Sequence, residues 1–263
     1  MPAHSILQIS DLHLKQHPGE TMLGIDTEYY FHRVLDYAFE ATPKIDLILV
    51  TGDLTQDPCL GNYQRIEQVL QSYGLPCICL PGNHDDDALM QVTLNMGQVS
   101  CNKQTFLGNW QIIALNSRIP GKPGGRLEKK ELQFLEDCLH AYPDRYTLIA
   151  VHHHCQTIAS PWLDAMMIEN AEEFLDLLHC YPMVRAVTCG HIHQVMDKRI
   201  GSIRVFSAPS TCFQFEPKSQ EFSVMDTAPG YRMIQLHQDG GLKTDVFRLP
   251  EALSGLQLKA DPY

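Results

Sequence analysis

The sequence lacks a hydrophobic run long enough to cross a membrane. Its two best candidates, residues 47–50 and 148–151, are interrupted within a few positions, whereas a spanning helix needs about 20 apolar residues. A basic segment followed by an apolar core is also missing near the first residue, so we expect no signal peptide and a cytoplasmic location. No long linker, composition shift or internal repeat divides the chain. We therefore predict one domain over residues 1–249 and a tail over residues 250–263.

Positively charged residues are scarce. The chain has 20 lysines and arginines against 31 aspartates and glutamates, which gives a net charge of −11. This balance argues against a dedicated surface for nucleic acid or for an anionic membrane, because both partners bind preferentially to positively charged surfaces. A small anionic substrate stays possible, since bound metal ions can reverse the local charge. We expect neither a nucleic-acid nor a membrane partner, and a monomer or weak homodimer.

Paired CxxC motifs are absent, and this spacing of the cysteines argues against a zinc ribbon. The nine cysteines are scattered, and several lie in apolar stretches, as buried free thiols do. Cys77 and Cys79 share one face of a predicted strand; two core cysteines are favoured there over half of a metal site. Histidine, by contrast, is abundant, with 13 residues in 263.

Hydrophobic periodicity predicts alternating strands and helices followed by a β-rich end. Continuous apolar runs, typical of strands buried on both faces, predict strands at 5–10, 47–51, 77–80, 111–115, 146–151 and 184–189. Helical spacing predicts helices at 31–41, 62–73, 88–96, 128–141 and 170–180. From residue 195 onward the segments are short and separated by turns, with strands predicted at 195–200, 203–207, 232–236 and 242–248. The fold class is therefore α/β.

Five of these strands end in residues that can bind metal. In open α/β sheets ligands bind beyond the carboxyl ends of the strands, so we expect the five groups to converge. Taken singly, Asp11 is also explained as a helix cap, Asp53 as a turn residue and Asn83 as an Asx-turn former. Jointly, the five favour a metal site. The groups are Asp11-Leu12-His13, Gly52-Asp53, Gly82-Asn83-His84-Asp85, His152-His153-His154 and Gly190-His191-Ile192-His193.

The residue types in these groups indicate the chemistry. Histidine, aspartate and asparagine supply nitrogen and oxygen ligands, and no cysteine is among them, which suits Fe, Mn or Zn in an open catalytic site. One aspartate can bridge two ions, and an ion pair about 3.5–4 Å apart favours in-line displacement at phosphorus. His153 and His154 are predicted to lie behind or beside the ligands, because adjacent side chains on a strand point to opposite faces.

The order and spacing of the five groups resemble the signature blocks of the calcineurin-like metallophosphoesterases. Three further segments resemble the bacterial class III 3′,5′-cyclic-AMP phosphodiesterases within that family. They are CGHIHQ at 189–194, PSTCFQF at 209–215 and APGYR at 228–232. With these segments the resemblance covers nearly the whole chain.

The resemblance implies a four-layer α/β/β/α sandwich, the metallophosphoesterase fold, with a dinuclear site at the carboxyl ends of the strands. It implies two divalent ions, Fe²⁺ or Mn²⁺, and a catalytic role for His84. Asp53 would bridge the ions, and the phosphate of the substrate would lie near His13, Asp53, Asn83, His84 and His193. The implied ligands of the first ion are Asp11, His13 and His193, and those of the second are Asn83, His152 and His191.

The implied function is hydrolysis of 3′,5′-cyclic AMP to 5′-AMP, with attack by a hydroxide that bridges the two metals and with His84 protonating the leaving O3′. The alternative is a broader metallophosphoesterase that acts on 2′,3′-cyclic nucleotides, nucleotide diphosphates or other phosphoesters. A third class is a binding module that keeps the fold and has lost the metals. That class should lack several ligands, and none is missing here.

Two features stay open. The family often has proline after the histidine run, whereas this chain has Cys155, which is either a redox-sensitive thiol or a bystander. Contacts to the nucleobase are also open; ordinary packing is the favoured alternative for each aromatic candidate. The candidates are Phe213, Phe215, Tyr231 and the loop 119–126, in which Lys122 or Arg126 is a candidate contact to the phosphate.

Overall fold

The structure is a computed structural model that describes residues 4–42 and 44–259. Its helices are α1 (Thr27–Ala41), α2 (Leu60–Ser72), α3 (Asp87–Thr93), α4 (Lys129–Ala141), α5 (Pro161–Asp164) and α6 (Ala171–His179). Its strands are β1 (His4–Ile9), β2 (Thr21–Met22), β3 (Ile25–Asp26), β4 (Leu47–Thr51), β5 (Cys77–Leu80), β6 (Val99–Ser100), β7 (Gln104–Leu107), β8 (Trp110–Leu115), β9 (Tyr146–Val151), β10 (Val184–Cys189), β11 (Asp197–Ile200), β12 (Ile203–Ser207), β13 (Gln214–Phe215), β14 (Val224–Met225), β15 (Gly230–Leu236) and β16 (Leu242–Arg248).

Twelve of these strands form two six-stranded mixed sheets. The first has the order β16-β15-β1-β4-β5-β6, and the second has the order β11-β12-β10-β9-β8-β7. β1, β4 and β5 run parallel in the first sheet, and β8, β9, β10 and β12 run parallel in the second. The carboxyl ends of the parallel strands therefore meet at one edge of each sheet.

The two sheets pack face to face through an apolar core. Ile6 and Leu49 from the first sheet pack in one cluster with Trp110, Leu148 and Phe206 from the second. The opposite faces pack against helices, with α1 next to β15 and α4 next to β8. Because both faces of the central strands are covered, those strands read as continuous apolar runs. The predicted α/β class and four-layer order are confirmed.

Most predicted elements are observed with ends within a few residues. α1 begins at Thr27, four residues before its predicted start, because the Asp26 side chain accepts a hydrogen bond from the Tyr29 N–H and caps the helix. The hairpins β2–β3 and β13–β14, the strands β6 and β7, and α5 were not predicted from the sequence. Elements of two to four residues are too short to show a period.

The β-rich end of the chain completes both sheets. β11 and β12 extend the second sheet, and β15 and β16 extend the first. The described part of the predicted tail contacts α1, where Glu251 pairs with Arg33 at 3.0 Å. It also contacts the turn between β2 and β3, where the Gln257 N–H donates to the Leu23 carbonyl. Residues 260–263 of that tail, like residues 1–3 and 43 of the predicted domain, lie outside the described residues. Among the helices of the described residues, none is long and apolar enough to span a membrane.

Candidate metal centre

The seven predicted metal ligands lie together where the two sheets face each other. Each follows the carboxyl end of a parallel strand: β1, β4 and β5 in the first sheet, β9 and β10 in the second. All except Asn83 are buried, and Asn83 is half-buried. The predicted convergence of these groups is thus seen in the structure. Close-set groups of ligand atoms include Asp11–His13–His193 and Asp11–Asp53–His152.

The backbone at this edge is unusual. Asp11, His13, Asp53, His191 and His193 all have positive φ, between 45° and 65°, a region that residues other than glycine rarely occupy. Each such residue costs of order 1–3 kcal/mol and persists only where surrounding contacts fix it. Here the Asp11 N–H donates to the Gly52 carbonyl and the His13 N–H to the Asp53 carbonyl, both at 3.0 Å. Three sharply turned loops, after β1, β4 and β10, thus direct five side chains toward the centre.

The first group contains Asp11, His13 and His193. The Nε2 atoms of the two histidines are 3.2 Å apart, and His193 Nε2 is 3.5 Å from Asp11 Oδ1. The outer nitrogens are held by the protein: His193 Nδ1 donates to the Phe213 carbonyl at 2.9 Å, and His13 Nδ1 lies 2.8 Å from Gln56 Oε1. Such outer hydrogen bonds fix the ring orientation and leave Nε2 as the ligand atom.

The second group contains Asn83, His152 and His191. His152 Nε2 is 3.1 Å from Asn83 Oδ1 and 3.3 Å from Asp53 Oδ2, while its Nδ1 donates to the Thr51 carbonyl. His191 Nε2 is buried and has no hydrogen-bond partner among the described residues. Asp53 Oδ2 is also 3.7 Å from His13 Nε2, so Asp53 lies between the two groups.

These contacts fit a cation better than an empty polar core. The buried His191 Nε2 has no hydrogen-bond partner among the described residues, which is energetically costly. His13 Nε2 and His193 Nε2 face each other at 3.2 Å, and they cannot form a hydrogen bond if both are acceptors. A metal ion satisfies both arrangements, and the ligands are the nitrogens and oxygens that open transition-metal sites use. The histidines and aspartates are therefore positioned to bind a dinuclear metal site.

The electrostatics of the site favour neutral histidines, the form that can bind a metal ion. Burial lowers the pKa of His13 to about 3 and, together with the neighbouring His153 and His152, holds the pKa of His191 well below its usual range. Both rings are neutral at pH 7, which is the form that binds metal. Burial also disfavours the charged form of His152, but Asp53 raises the pKa of this ring to about 9. A cation would displace that proton.

His153 belongs to the same cluster of rings. It is buried, and its ring centroid is 4.6 Å from that of His191. Its two nitrogens, however, lie 2.7 Å from Ser117 Oγ and 3.1 Å from the Pro123 carbonyl. A ligand atom of His153 nevertheless lies within 4.8 Å of those of His152 and His191, so the three form a candidate metal group. His153 and the equally buried His154 are not exposed rim residues.

Asp85 is a residue whose role the sequence did not reveal. It is buried and accepts hydrogen bonds from the Leu54, Thr55 and Gly82 N–H groups and from the Tyr63 hydroxyl. It thereby ties the loop after β4 to the loop after β5. Burial and the nearby Asp53 raise the pKa of Asp85 to about 7.

Two glycines allow the loops to approach this closely. A Cβ on Gly82 would lie 2.1 Å from Asp53 Oδ1, and one on Gly52 would lie 2.3 Å from His152 Nδ1. Gly52 also has a φ of +93°, which side-chain-bearing residues avoid. At both positions the backbone thus approaches its neighbours too closely to admit a side chain.

A cavity of about 450 Å³ opens onto the centre. His84 is half-buried at its wall, and the His84 N–H donates to Asp53 Oδ1 at 2.9 Å. His13 does not line this cavity, although its ring lies edge-on to that of His84 at 5.1 Å. The lining residues include Asp53, Asn83, His84, Pro123, Trp162, Leu163, Met166, His191, His193, Phe215 and Phe222.

The aromatic candidates divide between the cavity and the core. Phe215 lines the cavity, whereas Phe213 is buried beside His193, with ring centroids 5.0 Å apart. Tyr231 is not in the lining; it packs in the core against Tyr37 and Phe247, as the packing alternative predicts. Trp162 and Phe222 line the cavity and were missed, because neither belongs to a predicted element.

Known proteins resemble this chain along most of its length. The 3′,5′-cyclic adenosine monophosphate phosphodiesterase CpdA of Escherichia coli is 39% identical over 94% of this chain and 90% of its own. The protein of the same name from Pseudomonas aeruginosa is 37% identical over 94% of this chain and 91% of its own. A Nostoc protein named as a 3′,5′-cyclic-nucleotide phosphodiesterase is 36% identical over 95% of this chain and 94% of its own.

Solved structures share the fold at much lower identity. A dimetal phosphatase from Danio rerio superposes with a TM-score of 0.61 at 16% identity, over 89% of this chain and 96% of the other. The sequence profile described as calcineurin-like phosphoesterase matches residues 4–195, which include every predicted ligand. With a match over most of the chain, this protein belongs to the calcineurin-like phosphoesterase family.

Proposed function

We propose that this protein is a metal-dependent phosphodiesterase that hydrolyses 3′,5′-cyclic AMP to 5′-AMP. The observation that carries the proposal is a pair of ligand groups, joined at Asp53, that opens into one cavity of about 450 Å³. That volume lies within the range of roughly 300–1,000 Å³ typical of small-molecule sites. The choice of substrate is supported by the relatives named for this activity, which match over more than 90% of the chain.

The metals would be held by the residues already described. Asp11, His13 and His193 would hold one ion, Asn83, His152 and His191 the other, and Asp53 would contact both. We propose Fe²⁺ or Mn²⁺, which suit imidazole and carboxylate ligands without thiolates. When bound, the ions supply a Lewis acid that stabilises negative charge developing on the phosphate and a nucleophile at neutral pH.

His84 is the proposed general acid. Its side chain reaches the cavity from a loop that the Asp53 carboxylate fixes through the His84 backbone N–H, a bond that does not involve the imidazole ring. A proton donated from this imidazole to O3′ would neutralise the leaving oxygen as the P–O bond breaks. Asp53, Asn83, His84 and His193 line the cavity where the phosphate would bind. The ring of His13 lies edge-on to that of His84, with centroids 5.1 Å apart.

A broader metallophosphoesterase activity is the second candidate. The ligand groups alone do not distinguish 3′,5′-cyclic nucleotides from 2′,3′-cyclic nucleotides, nucleotide diphosphates or other phosphoesters. We further propose a cytoplasmic protein, monomeric or weakly dimeric, with residues 1–249 as its catalytic domain and 250–263 as a tail.

The test compares three diesters. Purified protein loaded with Mn²⁺ or Fe²⁺ is assayed with 3′,5′-cyclic AMP, 2′,3′-cyclic AMP and bis(p-nitrophenyl) phosphate, with Asn83→Ala as a control for the metal site. Metal-dependent formation of 5′-AMP, preferred over the other two reactions, supports the proposal. Hydrolysis of the other two diesters without hydrolysis of 3′,5′-cyclic AMP would contradict the proposed substrate and favour the broader metallophosphoesterase activity.

A further inference from the structure

The lining of the cavity contains two chemically different sets of side chains. One set consists of metal-ligand side chains and His84, and the other contains Trp162, Met166 and Phe222, with Gln220 and Glu221 also in the lining. These three apolar side chains are only half-buried, although each packs against the main hydrophobic core. An apolar surface left open beside a phosphate site suits a ligand that is anionic at one end and flat and apolar at the other.

Trp162 is held in a defined orientation. Its Nε1–H donates to Ser219 Oγ at 3.0 Å, which anchors α5 to the loop between β13 and β14. Its ring meets Phe222 at a centroid distance of 5.6 Å and an interplanar angle of 71°. An aromatic ring whose polar atom is already satisfied presents its apolar surface to the cavity at little further entropic cost.

Phe215 joins this wall to the metal centre. Its ring stacks on the proposed ligand His193 at 4.3 Å and 24°, and meets Trp162 edge-on at 4.9 Å. Phe215 itself is almost fully buried, so it supports the wall while Trp162 and Phe222 supply its open surface. The aromatic wall, defined as Trp162, Phe215 and Phe222, therefore begins at the phosphate end and extends away from it.

We infer that the nucleobase of the substrate packs on this aromatic wall and that Trp162 is a specificity-determining residue for substrates that carry a base. The inference rests on the proposed function, because the base is placed relative to a phosphate at the metal centre. Base–aromatic contacts are worth about 1–3 kcal/mol by alanine substitution, which corresponds to about a 5- to 150-fold change in binding.

Paired substrates test the inference by activity. Trp162→Ala and Trp162→Phe are assayed as metal-loaded proteins with 3′,5′-cyclic AMP and with 1-deoxyribose 3′,5′-cyclic phosphate, which has no base. We expect Trp162→Ala to lose about 5- to 150-fold in kcat/KM for cyclic AMP, while the change for the base-free diester stays below about threefold. Trp162→Phe should restore most of the loss, because it keeps an aromatic face.

A binding measurement gives an independent readout. The chain has two tryptophans, and Trp110 is buried between the sheets with its Nε1–H on the His237 carbonyl. In the Trp110→Phe variant, Trp162 is the only indole. The fluorescence of Trp162 should therefore change on titration with 5′-AMP, which carries a base, and should not change with ribose 5-phosphate, which has none. The matched control Trp162→Phe, which keeps Trp110, should show neither change.

The outcomes separate the two ideas. Equal losses for both substrates, no loss for either, or identical fluorescence responses to 5′-AMP and ribose 5-phosphate would overturn the inference while cyclic AMP hydrolysis by the unmodified protein still stands. No hydrolysis of cyclic AMP by the unmodified protein would overturn the proposed function instead. The fluorescence titration with 5′-AMP then still decides whether the wall binds a base.

Discussion

Single side chains decide how the centre is divided between binding and chemistry. Asp53 contacts histidines of both ligand groups, with Oδ2 3.3 Å from His152 Nε2 and 3.7 Å from His13 Nε2. His84 differs, because its backbone N–H donates to the Asp53 carboxylate while its ring reaches the cavity. We therefore propose a metal-binding role for Asp53 and a proton-transfer role for His84.

His84→Ala should lower kcat for cyclic AMP by about 10²- to 10⁴-fold, the usual contribution of a general acid. Metal content should stay unchanged, since the N–H bond to Asp53 survives the substitution. Both are measured on one preparation, by steady-state kinetics and elemental analysis. His32→Ala, at an exposed position on α1, is the control and should match the unmodified protein. A His84→Ala protein with full turnover would contradict the assignment.

Cys155 should be an inert thiol. Burial raises its pKa to about 12, so at pH 8 almost none of it is the reactive thiolate. Iodoacetamide at pH 8 should modify the exposed Cys180 and leave Cys155 unmodified, as read by peptide mass spectrometry. Rapid modification of Cys155 in the folded protein would favour the redox-sensitive alternative.

At the scale of elements, the centre is built by sharp turns that follow parallel strands. Each turn converts the end of a β-strand into a loop that points a ligand inward, and glycines allow neighbouring loops to touch. The geometry of these loops should therefore matter as much as the ligands that they carry.

Gly52→Ala should destabilise the protein by about 2–5 kcal/mol and reduce metal content, because the new Cβ combines a positive φ with a clash against His152. Gly74→Ala is the matched control: Gly74 also has a positive φ, of +64°, but a Cβ there would meet no atom of the described residues within 4 Å. Gly74→Ala should lower the free energy of unfolding by about 1 kcal/mol and leave metal content unchanged. Urea unfolding and elemental analysis measure both. Equal effects would show that the close approach at Gly52 is unimportant.

The sequence was sufficient to predict this centre because its metal-binding residues come directly after the ends of strands. The apolar runs of β4 and β9 stop just before Asp53 and His152, so the end of each run marked a residue at the carboxyl edge of its own sheet. The positive φ angles and the four donors on Asp85 left no pattern in the chain. The aromatic wall joins residues about 60 positions apart, Trp162 and Phe222, across a helix of one turn and a loop. Such contacts depend on tertiary packing that periodicity does not encode.

For the whole molecule, the centre joins the two sheets at the edge where they meet. Asp11 and Asp53 come from the first sheet, whereas His152 and His191 come from the second. Bound cations should therefore stabilise the pairing of the two halves and offset buried negative charge in a chain of net charge −11.

Removal of metal should lower the melting temperature. Ligand at about 100 times its Kd adds about 2.7 kcal/mol to stability, which for a chain of this size corresponds to roughly 5–10 °C. Calorimetry with and without EDTA measures the shift, and addition of Mn²⁺ after removal of EDTA should restore it. An unchanged melting temperature would indicate that the two sheets do not depend on the ions.

The metal content of Asp53→Asn is the most direct test of a shared dinuclear centre. The substitution keeps the size of the side chain but removes the charge that lies between the two ligand groups. We predict two metal ions per chain in the unmodified protein, a loss of bound metal in Asp53→Asn, and a parallel loss of cyclic AMP hydrolysis. An Asp53→Asn protein that retains two ions and full turnover would contradict the shared dinuclear centre.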